Sequence, residues 1–364
     1  MRVRALVDLV WDGTSLLSRG VRALLAPSSW IFGAIVSRRN QSFDRAIVRR
    51  AAIPAISIGN LTVGGTGKTP IAAWCVDQLK LRGARPAIVM RGVGDDEWRV
   101  HALMNPGTPV VLSPDRTTGL VIARTRGADS AVLDDAFQHR QVARIADIVL
   151  LSADQWTGRA ALLPAGPFRE PLSSLRRASL AVVTAKVATE ERVQELLRAI
   201  RVAAPDVTTA VVRLQAGVLR LAATLAGEGG SSRARGGPRA DAFDQPTRWL
   251  AARTVVVVSA IANPYAFEAQ VRAFGAQVKV TQRFPDHHSY TSSDALALAA
   301  HSEGTSGVIC TLKDAVKLAP LWPREATPLW YLSQSVVVER GAEAFDREFA
   351  RLLAARAGSA PTAG

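Results

Sequence analysis

The run Gly59-Asn-Leu-Thr-Val-Gly-Gly-Thr-Gly-Lys-Thr-Pro70 has the residue types of a phosphate-binding loop. Glycines at 64, 65 and 67 let backbone N–H groups turn inward toward phosphate oxygens. Lys68 is placed to reach the β- and γ-phosphates of a nucleoside triphosphate, and the Thr69 hydroxyl to ligate Mg²⁺. The expected nucleotide cradle is therefore Thr62, Val63, Gly64, Gly65, Thr66, Gly67, Lys68 and Thr69. The general spacing GxxxxGK[ST] asks for glycine at the first position, where this chain has Thr62.

Five further segments carry groups that bear on the same chemistry. The apolar run Ala131–Leu133 ends in Asp134 and Asp135, and carboxylates at the end of a neighbouring strand hold Mg²⁺ in phosphate-loop proteins. Asp95, Asp96 and Glu97 follow another apolar run and supply a candidate general base. Leu163-Pro-Ala-Gly-Pro-Phe-Arg-Glu-Pro171 is a proline-stiffened loop in which Arg169 can clamp phosphate. Phe284-Pro-Asp-His-His-Ser-Tyr290 sets Asp286 beside His287, which suits an oriented imidazole. Thr311-Leu-Lys-Asp-Ala-Val-Lys317 follows a strand-like run, so Lys313 either meets an anion or sits at the surface.

The elements that must position these groups read as α/β. Strands are expected at 53–58, 86–90, 108–112, 130–133, 146–151, 180–184, 254–259, 277–281 and 307–311. Helices are expected near 67–81, 115–126, 190–202, 264–274, 292–301 and 345–355. Such alternation predicts a parallel sheet covered on both faces. A Gly-, Arg- and Ser-rich stretch at 226–245 breaks it. The expected organisation is an arm (1–50), a phosphate-loop domain (51–225), a flexible insertion or linker (226–250), a smaller C-terminal α/β domain (251–357) and a frayed tail (358–364).

The chain has 364 residues, 48% of them hydrophobic, which is ample for a core without staples. Its two cysteines, Cys75 and Cys310, form no pair motif and fit a reducing compartment. The net charge of +14 favours anionic partners. Uncharged Ala23–Ser37 lies between Arg19, Arg22 and Arg38, Arg39 and is interrupted by Pro27. With Trp30 it predicts a helix or hairpin in a membrane interface, its arginines reaching lipid phosphates. No basic–aromatic surface suggests nucleic acid.

The order GNLTVGGTGKTP, LDDAFQHR, LLPAGPFREP, SAIANP, FPDHH, TLKDAVKL resembles the tetraacyldisaccharide 4′-kinases of the lipid A pathway, over about residues 15–350. Threonine at the first loop position is itself a feature of that family. The resemblance implies ATP-dependent phosphorylation of the 4′-hydroxyl of an acylated glucosamine disaccharide, giving lipid IVA. It implies work at the cytoplasmic face of the bacterial inner membrane, with peripheral or monotopic attachment and no obligate protein partner. By position, Lys68 and Thr69 match the Walker lysine and Mg²⁺-binding threonine, and Asp134 and Asp135 the Walker B-like pair. Arg169 and Glu170 match an active-site arginine and acid, so the expected metal set is Thr69, Asp134, Asp135 and Glu170. His287 matches a histidine working with an aspartate as base. That aspartate is Asp96 or, across the extra residue of GDDE, Asp95. Because His287 belongs to the second expected domain, catalysis would need the two domains to close.

A second reading is a membrane-recruited ATPase switch of the MinD/ParA type, which shares GGTGKT. That group carries lysine before the glycine pair, where this chain has Val63, and lacks a downstream DHH.

Overall fold

The computed structural model describes residues 10–357 except 12, 14, 93–96, 223–243, 262, 263 and 287. Asp95, Asp96, His287, the tail and residues 226–243 of the expected insertion therefore lie outside the described residues. Contacts divide the chain into two compact units. One comprises Met1–Val93, Met104–Leu214 and Val336–Gly364; the other comprises Gly94–Leu103 and Gln215–Ser335.

The first unit opens on α1 (Leu16–Asp44), capped by the Ser15 side chain, which accepts from the Ser18 N–H. Its sheet runs β7 (Thr208–Leu221, through Leu214), β6 (Leu180–Ala185), β5 (Ala146–Ser152), β1 (Ala55–Asn60), β4 (Ser130–Asp134), β2 (Pro86–Met90) and β3 (Val110–Leu112). Every pairing along this order is parallel. All residues of β1, β2, β4 and β6 are buried, as expected of strands covered on both faces. Helices α2 (Lys68–Leu81), α4 (Arg116–Thr125) and α5 (Glu190–Ala203) return the chain between strands. In α5, Val193, Leu196 and Ile200 repeat at helical spacing and bury, while Glu190 and Glu191 favour its N-terminal turn.

β1 lies between β4 and β5, with Ile58 opposite Asp134 and Asn60 opposite Leu150. The chain thus winds both ways from β1, and open parallel sheets bind ligands beyond the carboxyl ends of strands at such a switch point. The phosphate loop follows β1, and Asp134 ends β4.

The second unit has the parallel order β10 (Gln277–Arg283), β9 (Thr254–Ser259), β11 (Val308–Thr311), β12 (Leu329–Arg340, through Ser335). α6 (Pro264–Ala273), α7 (Ser292–His301) and α8 (Leu312–Leu318) connect its strands. Most of α3 (Glu97–Met104) groups with this unit, although it follows β2 in sequence.

Several boundaries differ from the sequence expectation. The units divide at Leu214 rather than at 226–250, and 336–357 return to the first unit. The reason is α9 (Ala342–Ala357), whose Phe345, Phe349 and Leu352 join Ile71, Cys75 and Leu79 in one buried cluster. The Trp74 and Phe345 rings meet edge-on at 4.9 Å. Gln245–Pro246 is a short strand (β8) paired with β7, and Leu250 is fully buried, so residues 245–250 are built into the fold where a flexible linker was expected. Long strands β7 and β12 were unrecognised because solvent-facing Arg, Gln and Ser dilute their apolar pattern. α1 continues through Pro27 as one helix of 29 residues, neither hairpin nor interrupted run. The ring removes one backbone hydrogen bond, typically at a cost of about 3 kcal/mol, and contacts of Ser29 and Asn40 with residues of the 162–170 loop hold the helix beyond it.

Candidate active site

The site grows from the end of β1. Asn60 is fully buried, and its Nδ2 donates to Thr62 O at 2.8 Å and Thr66 Oγ1 at 3.1 Å, folding the loop back on its own strand. Thr184 Oγ1 donates to Thr66 O at 2.9 Å and pins the loop from β6. Gly64 and Gly67 have φ of +115° and +87°, backbone that L side chains resist. At Gly59 a Cβ would stand 2.5 Å from Phe137 Cβ and 2.9 Å from its backbone N, so only glycine fits beside the chain leaving β4. α2 begins at Lys68 with no side-chain cap, leaving its first N–H groups to the loop.

Asp135 has φ +48°, a rare region for a side-chain-bearing residue and one in which asparagine and aspartate are enriched. Its carboxylate is 44% exposed, with Oδ1 3.7 Å from Lys68 Nζ and 3.3 Å from Arg169 Nη2. Arg169 Nη2 also donates to the side chain and carbonyl of Asn60. Asp134 is buried one residue earlier. Lys68, Arg169, Asn60 and Asp135 therefore converge where β1 and β4 end.

Arg169 reaches this point because its loop packs on the phosphate loop. Thr62 bridges antiparallel to Phe168, Val63 N–H donates to Pro167 O at 2.9 Å, and Arg169 N–H to Leu61 O at 2.7 Å. Glu170, the next residue, turns the other way. It is 3% exposed, and its Oε2 accepts from Arg177 Nη2 at 2.5 Å and Asn40 Nδ2 at 3.0 Å. That oxygen is thus already engaged by Arg177 and Asn40, which argues against the expected place of Glu170 in the metal set.

The remaining donors fit Mg²⁺. The exposed Asp135 carboxylate, Asp134 and the Thr69 hydroxyl offer oxygen ligands. Among the described residues, no cluster of three His, Cys, Asp or Glu could hold a metal alone. Mg²⁺ is characteristically bound by one or two carboxylates plus substrate phosphates rather than by an all-protein cage.

Sequence reasoning missed Asn60 and Arg116. Arg116 is buried and donates to Ser113 O at 2.7 Å and Asp134 O at 3.2 Å. Burial pulls its guanidinium below the ordinary value, against Asp134 and Asp135, which pull it up. Asn60 carried a signal, a lone amide at the mouth of the glycine run. Arg116 carried none, since it lies 18 residues from the acid pair it supports.

In the second unit, the loop after β10 stacks Phe284 on His288 at 4.7 Å, and Tyr290 meets both rings edge-on at 5.1 Å. His288 Nε2 lies 3.3 Å from Asp294 Oδ2, and Lys317 Nζ donates to His288 O at 3.2 Å. Fully buried Asp314 accepts from Tyr290 Oη at 3.0 Å, Ala260 N–H at 3.1 Å and Thr311 Oγ1 at 2.6 Å. Burial pushes its carboxyl above the ordinary aspartate value despite these donors. Lys313 pairs with Glu97 at 3.5 Å, so it meets a carboxylate within its own unit.

A cavity of about 310 Å³ opens at the opposite end of the first sheet, between Lys80, Arg85, Pro86 and Arg126, and carries none of the expected chemistry.

Residues 21–354 match the family model described as tetraacyldisaccharide-1-P 4′-kinase. A tetraacyldisaccharide 4′-kinase of Anaeromyxobacter dehalogenans (strain 2CP-C) is 37% identical over 331 residues, covering 83% of this chain and 82% of that protein. One from Chlorobaculum parvum is 31% identical over 331 residues, covering 83% and 86%. A crystal structure of LpxK from Aquifex aeolicus in complex with ATP superposes with a TM-score of 0.68 at 26% identity, covering 91% of this chain and 99% of that one.

Proposed function

This chain belongs to the tetraacyldisaccharide 4′-kinase family, and from that premise we propose how its residues carry out the reaction and where. It is a kinase that transfers a phosphoryl group to the 4′-hydroxyl of a tetraacylated disaccharide. The switch reading of the glycine-rich loop has no support beside this family. The observation that carries the residue assignment is the convergence of Lys68 and Arg169 on Asp135 Oδ1 beyond two adjoining parallel strands.

Backbone N–H groups of 62–69 and the start of α2 cradle the phosphates of ATP, and Lys68 and Arg169 neutralise charge on the transferring group. Thr69 and Asp135, with Asp134, would hold Mg²⁺, which when bound would offset the negative charge on the phosphates. The acceptor hydroxyl is a weak nucleophile and must lose a proton as the new P–O bond forms. Asp96, or Asp95 at the same turn of sequence, takes that proton, and His287 orients it.

The substrate's acyl chains require access from a membrane, and α1 supplies the surface for it. Leu17, Leu24, Ile31 and Ile35 recur along one side of the helix and are 61–81% exposed, while its buried positions are Ser18, Ser29 and Val36. The helix thus turns large apolar side chains to solvent while two of its three buried positions are serine, unlike the usual surface helix of a soluble domain. Each such side chain gains about 1.5–3 kcal/mol on leaving water. At 29 residues it is long and apolar enough to cross a membrane. Its flanking arginines suit an anionic, cytoplasm-facing leaflet, and we place the protein there through this helix. Transfer of labelled phosphate from ATP to the acylated disaccharide in detergent micelles tests the function. No transfer to the disaccharide under saturating ATP and Mg²⁺ would refute it.

A further inference from the structure

α1 is fastened to the loop that carries Arg169 at two separate points. Near its middle, Ser29 Oγ donates to Leu162 O at 3.1 Å and accepts from Ala165 N–H at 3.1 Å. One turn later a Cβ on Gly33 would stand 2.9 Å from Leu162 Cδ1, so the loop lies hard against the helix there. Near its end, Asn40 Nδ2 donates to the buried Glu170 Oε2 at 3.0 Å, beside Arg177. Arg140 closes this end, donating to Asn40 O at 2.9 Å and to Asp44 Oδ1 at 2.5 Å. Arg177 is itself placed over the Phe137 ring at 4.5 Å, in the segment that follows the acid pair.

The loop between these fastenings is the one bridged to Thr62 and Val63. A path of hydrogen bonds, joined by the peptide between Glu170 and Arg169, therefore runs from α1 to the phosphate loop. We propose that Glu170 is a positioning residue that ties the lipid-facing helix to the catalytic loop, so that the seating of α1 sets where Arg169 meets the phosphates. This rests on the kinase reading above and adds that α1 is part of the catalytic framework as well as an anchor. Glu170 reaches neither phosphate nor metal; it acts through the neighbouring peptide.

The test uses the full chain with Glu170→Ala, Glu170→Gln and Asn40→Ala. Turnover is measured with ATP and acylated disaccharide in mixed micelles, and amide exchange is followed across 161–169. Glu170→Ala should lower kcat about 10–100-fold, the scale expected when a reacting group is misplaced by about 1 Å. Its KM for ATP and its half-saturating Mg²⁺ should stay within about twofold, a margin far below the 10–100-fold effects expected on removing a metal's supporting ligand shell. Glu170→Gln should recover most of the loss, because an amide oxygen still accepts from Asn40 and Arg177. Asn40→Ala should give a smaller loss, and adding it to Glu170→Ala should cost nothing further. Amide exchange across 161–169 should quicken in both alanine variants, a readout that holds whatever the substrate proves to be. A clear rise in half-saturating Mg²⁺ for Glu170→Gln would make Glu170 a metal ligand and overturn the proposal. So would wild-type turnover and exchange in Asn40→Ala. An inactive wild-type chain would count against the kinase reading alone, leaving the exchange data to judge the tie.

Discussion

Lys68 Nζ stands 3.7 Å from Asp135 Oδ1, across the mouth of the phosphate loop, and Arg169 approaches the same oxygen from the facing loop at 3.3 Å. The cations are drawn together by one half-exposed carboxylate that sits at the end of the neighbouring strand. Phosphate oxygens would bring a larger negative charge to this spot. Charged groups whose positions are fixed by the surrounding fold in this way lower a barrier most.

Lys68→Ala removes the charge that follows the γ-phosphoryl group. Turnover should fall at least about a hundredfold, the scale of losing one transition-state donor. Steady-state kinetics check it, and near wild-type kcat would sink the assignment.

Asp135→Asn keeps the shape of the side chain and removes its charge. The half-saturating Mg²⁺ concentration should rise by about tenfold or more and kcat should fall, as the cation loses a charged ligand or its support. A Mg²⁺ titration at fixed ATP decides the point. An unchanged Mg²⁺ requirement would leave Asp135 as a partner of Lys68 and Arg169 only.

Leu24 and Ile31 lie 81% and 64% exposed on the outward side of α1. Leu24→Glu with Ile31→Glu should move the protein from liposomes containing anionic lipid to the soluble fraction, with little change in thermal midpoint. Raised salt should weaken wild-type binding where it relies on arginine. Equal co-sedimentation of variant and wild type would show that this face does not meet lipid.

Asp96→Ala and His287→Ala should each depress turnover strongly while ATP binding survives. Because residues acting as one unit give non-additive losses, the double variant should be little worse than the poorer single. Multiplicative losses would mean independent roles. A crippled Asp95→Ala beside an active Asp96→Ala would move the base by one residue.

Asp294 closes a capping box at the start of α7, accepting from the Thr291 N–H and hydroxyl. The backbone hydrogen bond, then the hydroxyl and His288, hold its carboxyl below the ordinary value of 3.8. Its stabilisation is therefore complete above that value and lost as pH falls through the lower folded one. Asp294→Ala should cost about 0.5–2 kcal/mol at neutral pH, as for a lost helix cap. The gap in unfolding midpoint between variant and wild type should narrow toward pH 2. A gap that is constant with pH would remove the ionised carboxylate from the account.

The alternation of strands and helices was legible wherever one element is buried in a single pattern. Strands 86–90 and 254–259 and helix 292–301 fall where the sequence places them. β7 and β12 were not legible, because each changes its surroundings along its length and no one period describes it. Of the two forms the sequence allowed for the arm, the structure has the helix, and it runs on through Pro27 rather than breaking there. Local propensity argues for a break, and contacts with residues about 130 positions away override it.

The sequence by itself determined the phosphate loop, because that site is built from neighbouring residues. A glycine's backbone freedom, a lysine and a threonine at fixed spacing suffice to shape it. It also marked the acid pair, since a strand that ends in carboxylates delivers them at a sheet's edge in any register. Only the tertiary structure decided which of Arg169 and Glu170 turns to the phosphate loop and Asp135. The two are adjacent in the chain and alike in promise. Arg169 is drawn to Asn60 and Asp135 beyond β1 and β4, while Glu170 is buried between Arg177 and a helix that begins at Leu16. Which way a charged side chain turns is set by where its counter-charge lies after packing, and residues 130 apart in sequence meet only in the folded chain.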